Sequence, residues 1–130
     1  MGKSFNVLSL DGGGVKGIYS IGFLKELELI INKKLYEVFD LIYGTSTGAI
    51  IAILISLGKN MSYIENLYLK LIPKIMNKKN NFNKSLILEK LFSDEFKNLK
   101  MNSCKIPTGI ISTNYDKNMP IVFKSHKFQS

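Results

Sequence analysis

An α/β layer built on a mainly parallel sheet is the fold class that this sequence predicts, and three observations predict it. Short apolar runs alternate with longer stretches of helical periodicity, in the order strand, helix, strand, helices, strands. Two glycine-rich turns each stand between a strand and a helix, where a βα connection belongs. A chain of 130 residues with 45% hydrophobic and 22% charged side chains has the apolar content of one folded domain, residues 1–130. Low-complexity disorder is excluded by the same numbers, because the apolar residues are both plentiful and patterned.

The elements follow in order. Phe5 to Leu10 is short, apolar and stopped by Asp11-Gly-Gly-Gly14, the pattern of a buried strand ending in a turn. From Gly17 to Ile31, the residues Ile21, Leu24, Leu27 and Ile31 keep helical spacing. Val38 to Tyr43 is a second strand, and it runs into Gly44-Thr-Ser-Thr-Gly48. Ala49 to Leu57 is almost wholly apolar. It is too short to span a bilayer, which takes about 20 uninterrupted residues, so it is predicted as a buried helix. Ser62-Tyr-Ile-Glu65 has the form of a capping box, and Ile64, Leu67, Leu71 and Ile75 mark the helix face that follows. Pro73 is expected to kink or end that helix. After a polar connection, Lys78 to Asn83, the residues Leu88, Leu91, Phe92, Phe96 and Leu99 mark a further amphipathic helix. Ile106 to Ser112 and Pro120 to Phe123 are strands joined by a turn at Asn114 to Asn118.

Charge narrows the function classes. Eighteen basic against ten acidic residues give a net charge of +8, and every basic residue is a lysine. Specific nucleic-acid readers rely on arginine for bidentate contacts, so a specific nucleic-acid partner is not expected. Dispersed lysines fit a solvated surface, and they would also favour peripheral contact with an anionic membrane. Cys104 is the only cysteine, which excludes a disulfide scaffold, and no Cys/His cluster has metal-ligand spacing. The N-terminus lacks a secretory pattern, and Asn6 breaks the myristoylation pattern. The expected location is therefore the cytoplasm, with a peripheral membrane role open.

The two turns carry the chemistry. Gly44-Thr45-Ser46-Thr47-Gly48 is a G-x-S-x-G segment between a strand and a helix, the setting of a nucleophile elbow. A serine there takes a strained backbone conformation, and flanking glycines let neighbouring backbone pass without a Cβ clash. Gly12-Gly13-Gly14-Val15-Lys16-Gly17 fits G-x-G-x-x-G in the same setting. Its N–H groups could bind a dinucleotide pyrophosphate or the oxyanion of an acyl-transfer intermediate. A Rossmann site wants an acid at the end of the second strand, where Gly44 to Gly48 stands instead; Asp40 falls earlier. Free donors on one turn and an exposed serine on its neighbour suit acyl transfer better. Two alternatives stay open: a non-catalytic lipid-binding or regulatory module keeping the turns as structure, and a dinucleotide-binding domain.

Leu10-Asp-Gly-Gly-Gly-Val-Lys-Gly17 followed by Gly44-Thr-Ser-Thr-Gly48 resembles the N-terminal half of the patatin-like phospholipases. The resemblance covers both motifs, their order and their spacing, and extends to the strands at Ile106 to Phe123. It implies a three-layer α/β fold of which the C-terminal part would be missing here. It implies a lipid acyl hydrolase with a Ser-Asp dyad, no catalytic histidine, no cofactor and no metal, acting on phospholipids or acylglycerols. By the same resemblance Ser46 is the nucleophile and Gly12, Gly13 and Gly14 form the oxyanion hole. Asp11, Lys16, Gly17, Gly44 and Gly48 support them.

A serine hydroxyl needs a base within hydrogen-bond reach. The family carries it on a later Asp-Gly motif, and no aspartate after Ser46 is followed by glycine. Asp94 on a helix and Asp116 in a turn are expected to be solvated, and Asp11 and Asp40 to shape their turn and strand. His126 follows Asp116 in triad order, but it lies in a polar tail and is expected to be solvated. Cys104 is expected to be a packed side chain. The 130 residues are therefore expected to hold nucleophile and oxyanion loop without their base, and to show little hydrolase activity alone.

Overall fold

A computed structural model describes residues 2–76, 90, 93, 94, 96–114 and 116–126. The elements are β1 (Val7–Leu10), α1 (Gly17–Ile31), β2 (Leu41–Thr45), α2 (Thr47–Ser56), α3 (Met61–Met76), β3 (Thr108–Asn114) and β4 (Met119–Lys124). The sheet order is β1-β2-β3-β4. The first three strands are parallel, with Leu10 opposite Gly44 and Thr45 opposite Ile111, and β4 returns antiparallel with Val122 opposite Ile111. This is the mainly parallel α/β sheet that the strand–helix alternation predicts.

The layers follow from which helix is apolar on all sides. α2 has seven buried residues, Gly48, Ala49, Ile51, Ala52, Leu54, Ile55 and Ser56, and it lies across β1, β2 and β3. α1 and α3 pack on one another and reach α2, giving a three-layer arrangement of sheet, central helix and outer helix pair. Ile21 and Leu24 of α1, Ile42 of β2, Ile51, Leu54 and Ile55 of α2, and Met61, Ile64 and Tyr68 of α3 meet in one core. Two hydroxyls enter this core and satisfy one another. Ser56 Oγ donates to the Ala52 carbonyl at 2.8 Å, and Thr108 Oγ1 hydrogen-bonds Ser56 Oγ. The pairing removes the penalty of burying either group alone.

The boundaries differ from the expected ones for polar reasons. β1 starts at Val7 rather than Phe5 because Asn6 is held by the residues before β2. Its N–H donates to Asp40 Oδ2 at 2.8 Å, and its side-chain amide donates to the Val38 carbonyl at 3.1 Å. The same clasp delays β2 to Leu41, after a 3-10 turn at Leu35–Glu37. α3 is not capped by Ser62. Asn60 Oδ1 accepts the Tyr63 N–H at 2.8 Å, two residues earlier, and Glu28 of α1 accepts the Met61 N–H at 2.8 Å. Glu65 instead pairs with Lys25 across the α1–α3 contact. The buried face of α3 is Met61, Ile64, Tyr68 and Leu71, with Leu67 half-buried, and the helix continues past Pro73 to Met76. The Ile75 side chain, the Lys78–Asn83 connection and residues Leu88, Leu91 and Phe92 of the further helix lie outside the described residues.

Asn60→Ala should cost about 1 kcal/mol of stability, the usual effect of losing an N-cap, while Ser62→Ala should change it by less than about 0.5 kcal/mol. Urea unfolding of the two variants separates these outcomes.

Candidate active site

Ser46 directly follows β2 and is the N-cap of α2, with φ 53° and ψ −126°. That is a left-handed φ for a residue with a side chain, a conformation costing about 1–3 kcal/mol. It persists because the surrounding backbone leaves no alternative. A Cβ on Gly48 would stand 2.3 Å from the Leu10 carbonyl oxygen and 2.6 Å from that of Asp11. A Cβ on Gly44 would stand 2.4 Å from the Gly48 carbonyl oxygen. The end of β1 is thus pressed onto the first turn of α2, and the chain between β2 and α2 can only turn sharply. Ser46 is exposed at the apex, and its carbonyl accepts the Ala49 N–H at 3.0 Å to open the helix.

The first glycine turn lies beside this serine. A Cβ on Gly12 would be 2.8 Å from Ser46 Cβ and 3.5 Å from Ser46 Oγ, so only glycine lets this backbone approach so closely. Gly13 and Gly14 lead into a 3-10 turn closed by the Lys16 N–H on the Gly13 carbonyl at 3.1 Å. Among the described residues, none of the N–H groups of Gly12, Gly13 and Gly14 is used in a backbone hydrogen bond. Gly12 is the member brought against Ser46. Asp11 contributes its carbonyl to the contact with Gly48, while its side chain, like that of Lys16, is exposed.

Tyr68 braces the loop from behind. Its hydroxyl donates to the Gly14 carbonyl, and a Cβ on Gly17 would collide with the same phenol. Burial pushes the Tyr68 phenol above its ordinary pKa, against an opposing effect of the Thr47 hydroxyl and the Gly17 backbone. The neutral phenol is the donor the loop needs. Since the folded-state pKa is raised, this contribution is complete below about pH 10 and is lost as the pH rises beyond it. Tyr68→Phe should cost about 1 kcal/mol by leaving the Gly14 carbonyl without its donor. Thermal unfolding at neutral pH checks that loss. Sequence periodicity missed Tyr68 by assigning Leu67 to the face; the available signal was its spacing of four from Ile64 and three from Leu71.

Asp40 and His126 are kept apart from Ser46. Asp40 sits before β2, at the opposite end of the strand, and its carboxylate is engaged by Asn6. A ribose-binding acid is wanted at the other end, which removes the support for a dinucleotide site. His126 bonds Ser125 Oγ at 2.8 Å, and Ser125 accepts the Thr108 N–H at 2.8 Å. Thr108 pairs with Ile42, three positions below Thr45, so about 10 Å of strand separates this end from the serine turn. Asp94 and Asp116 are exposed. Among the described residues no base hydrogen-bonds Ser46 Oγ. Cys104 is buried, and burial pushes its thiol up against a weaker opposing effect of Thr108, which suits a packed side chain rather than a nucleophile. Among the described residues no helix is long and apolar enough to cross a membrane.

The model of the patatin-like phospholipase family matches residues 8–129. The cUMP-AMP-activated phospholipase of Escherichia coli is 39% identical over 124 residues, covering 95% of this chain and 39% of that protein. The 85/88 kDa calcium-independent phospholipase A2 of Rattus norvegicus is 34% identical over 112 residues, covering 82% of this chain and 14% of that protein. The cGAMP-activated phospholipase of Vibrio cholerae is 39% identical over 71 residues, 49% of this chain and 20% of that protein. The chain spans about two fifths or less of the length of each of these relatives. Taken with the two glycine turns, the match over nearly the whole chain shows that it belongs to the patatin-like phospholipase family.

Proposed function

We propose that this chain carries the nucleophile and oxyanion loop of a serine lipid acyl hydrolase acting on phospholipid or acylglycerol esters. The observation that carries the reading is the strained Ser46 with the Gly12 backbone against it. Strain of this kind is retained where a side chain must be aimed. Ser46 Oγ attacks the ester carbonyl carbon and its proton passes to a base. The carbonyl oxygen takes up the electron pair and is held by N–H groups of the glycine loop, with the N-terminus of α2 favouring the same charge. Collapse expels the alcohol portion, which takes the proton, and leaves an acyl ester on Ser46. Water then attacks that ester, releasing the fatty acid and restoring the hydroxyl.

No aspartate after Ser46 is followed by glycine and, among the described residues, no carboxylate hydrogen-bonds Ser46 Oγ, which supports a dyad lacking its base in these 130 residues. The isolated chain is therefore expected to turn over esters weakly. Residual acceleration of about 10³-fold over water is what binding and an oxyanion hole give when triad groups are removed from serine proteases. Lysines on a chain of charge +8 supply attraction to anionic lipid, in which the substrate resides. The test is treatment with an alkyl fluorophosphonate, read by intact mass and peptide mapping. Slow modification at Ser46, absent from Ser46→Ala, is the expected result. Modification elsewhere with Ser46 untouched, under conditions where the protein is folded, would count against the reading.

A further inference from the structure

α2 carries two side-chain hydroxyls, at Thr47 and Ser56, and they are satisfied differently. Ser56 Oγ donates to the carbonyl four residues back, that of Ala52, at 2.8 Å. Thr47 opens the helix, and the residue four back, Tyr43, belongs to β2, so the usual helical acceptor is absent. Its Oγ1 is buried and has no hydrogen-bond partner. A hydroxyl left in that state costs about 1–3 kcal/mol, which strongly favours any partner that a small rotation can reach.

The Tyr68 phenol, across the contact between α2 and α3, is such a partner. Burial raises the pKa of that phenol, and the Thr47 hydroxyl and the Gly17 backbone oppose the rise, as donors to the phenol oxygen do. The direction of the bond follows from the other contact of Tyr68. The phenol proton goes to the Gly14 carbonyl, which can only accept, so the phenol oxygen keeps lone pairs with which to accept. We infer that Thr47 Oγ1 donates to Tyr68 Oη, and that Thr47 is a positioning residue which, acting through Tyr68, sets the distance between the glycine loop and Ser46. The covalent neighbour of the serine is thereby joined to the loop by two consecutive hydrogen bonds, Thr47 to Tyr68 and Tyr68 to Gly14, each polarising the other. Gly12, two residues earlier on the same loop, is the member held against Ser46 Cβ. The effect on reactivity rests on the acyl-hydrolase reading; the bond itself does not.

Two substitutions test the pair in the full 130-residue chain. Thr47→Val keeps the shape and removes the hydroxyl, and Thr47→Ser keeps the hydroxyl and removes the methyl. The Tyr68 pKa is read by NMR titration of protein isotopically labelled at tyrosine Cζ, with the resonance assigned by Tyr68→Phe. It should rise in Thr47→Val and stay in place in Thr47→Ser. Fluorophosphonate modification of Ser46 at neutral pH should slow about tenfold in Thr47→Val, the equivalent of one hydrogen bond, and return to within about twofold in Thr47→Ser. Tyr68→Phe already cuts the route, so adding Thr47→Val to it should slow the reaction no further. Thermal unfolding verifies that each variant is folded under these conditions. An unchanged Tyr68 pKa in Thr47→Val would overturn the bond. Equal slowing in Thr47→Val and Thr47→Ser, or additive slowing in the double variant, would overturn the positioning role. A raised pKa in Thr47→Val with Ser46 unreactive in the unsubstituted chain would count against the acyl-hydrolase reading and leave the bond standing.

Discussion

Gly48→Ala should destabilise the fold strongly. The added Cβ would stand 2.3 Å from the Leu10 carbonyl oxygen and 2.7 Å from the carbonyl carbon, and these are backbone atoms of a paired strand. β1 cannot retreat without breaking its ladder with β2, and α2 cannot retreat without opening the core around Ile51 and Ile55. A cost of about 3 kcal/mol or more is expected, at the upper end of overpacking effects and a large part of a domain's total stability. Gly22 provides the control. It lies within α1, and a Cβ there would meet nothing within 4 Å. Gly22→Ala should stabilise by about 0.5–1 kcal/mol through helix propensity alone. Equal effects of the two substitutions in urea unfolding would refute the packing argument.

Substitutions of Ser46 should separate stability from chemistry. Ser46→Ala removes the hydroxyl but keeps a Cβ in the left-handed conformation, so it should abolish modification by a fluorophosphonate with little change in stability. Ser46→Gly removes the hydroxyl and the strain together. It should be equally unreactive and more stable than Ser46→Ala by about 1 kcal/mol, the lower end of the cost of such a conformation. The pair is read by intact mass and by thermal unfolding. A less stable glycine variant would mean that the turn is relaxed, and the geometric support for an aimed nucleophile would be lost.

The parts of the molecule that could be read from sequence were those governed by one local rule. Gly17 to Ile31 was legible as a helix because its apolar spacing is regular and glycine precedes it, and its observed limits agree. Both glycine turns were legible because backbone crowding admits few residue types. What escaped depended on partners distant in sequence. Asn6 is paired to Asp40, which shortened β1 and delayed β2. Asn60 took the capping role from Ser62 because Glu28, on another helix, completes the cap from outside. Tyr68 and its bond to Gly14 join residues 54 positions apart, so no window of local sequence contains the signal. For the candidate site, His126 follows Asp116 in triad order but is expected from its polar tail to be solvated, and the strand register sets it at the far end of the sheet from Ser46.

The contact between Tyr68 and the glycine loop also decides when the loop becomes ordered. A run of three glycines loses more conformational freedom on being fixed than any other tripeptide, and that cost must fall at some stage. Here the phenol that fixes Gly14 belongs to the same helix face as Met61 and Ile64, so the loop is immobilised when α3 docks into the core. Its disorder is thus spent in folding, and on the proposed acyl-hydrolase reading the loop would not have to be ordered again at each encounter with a ligand.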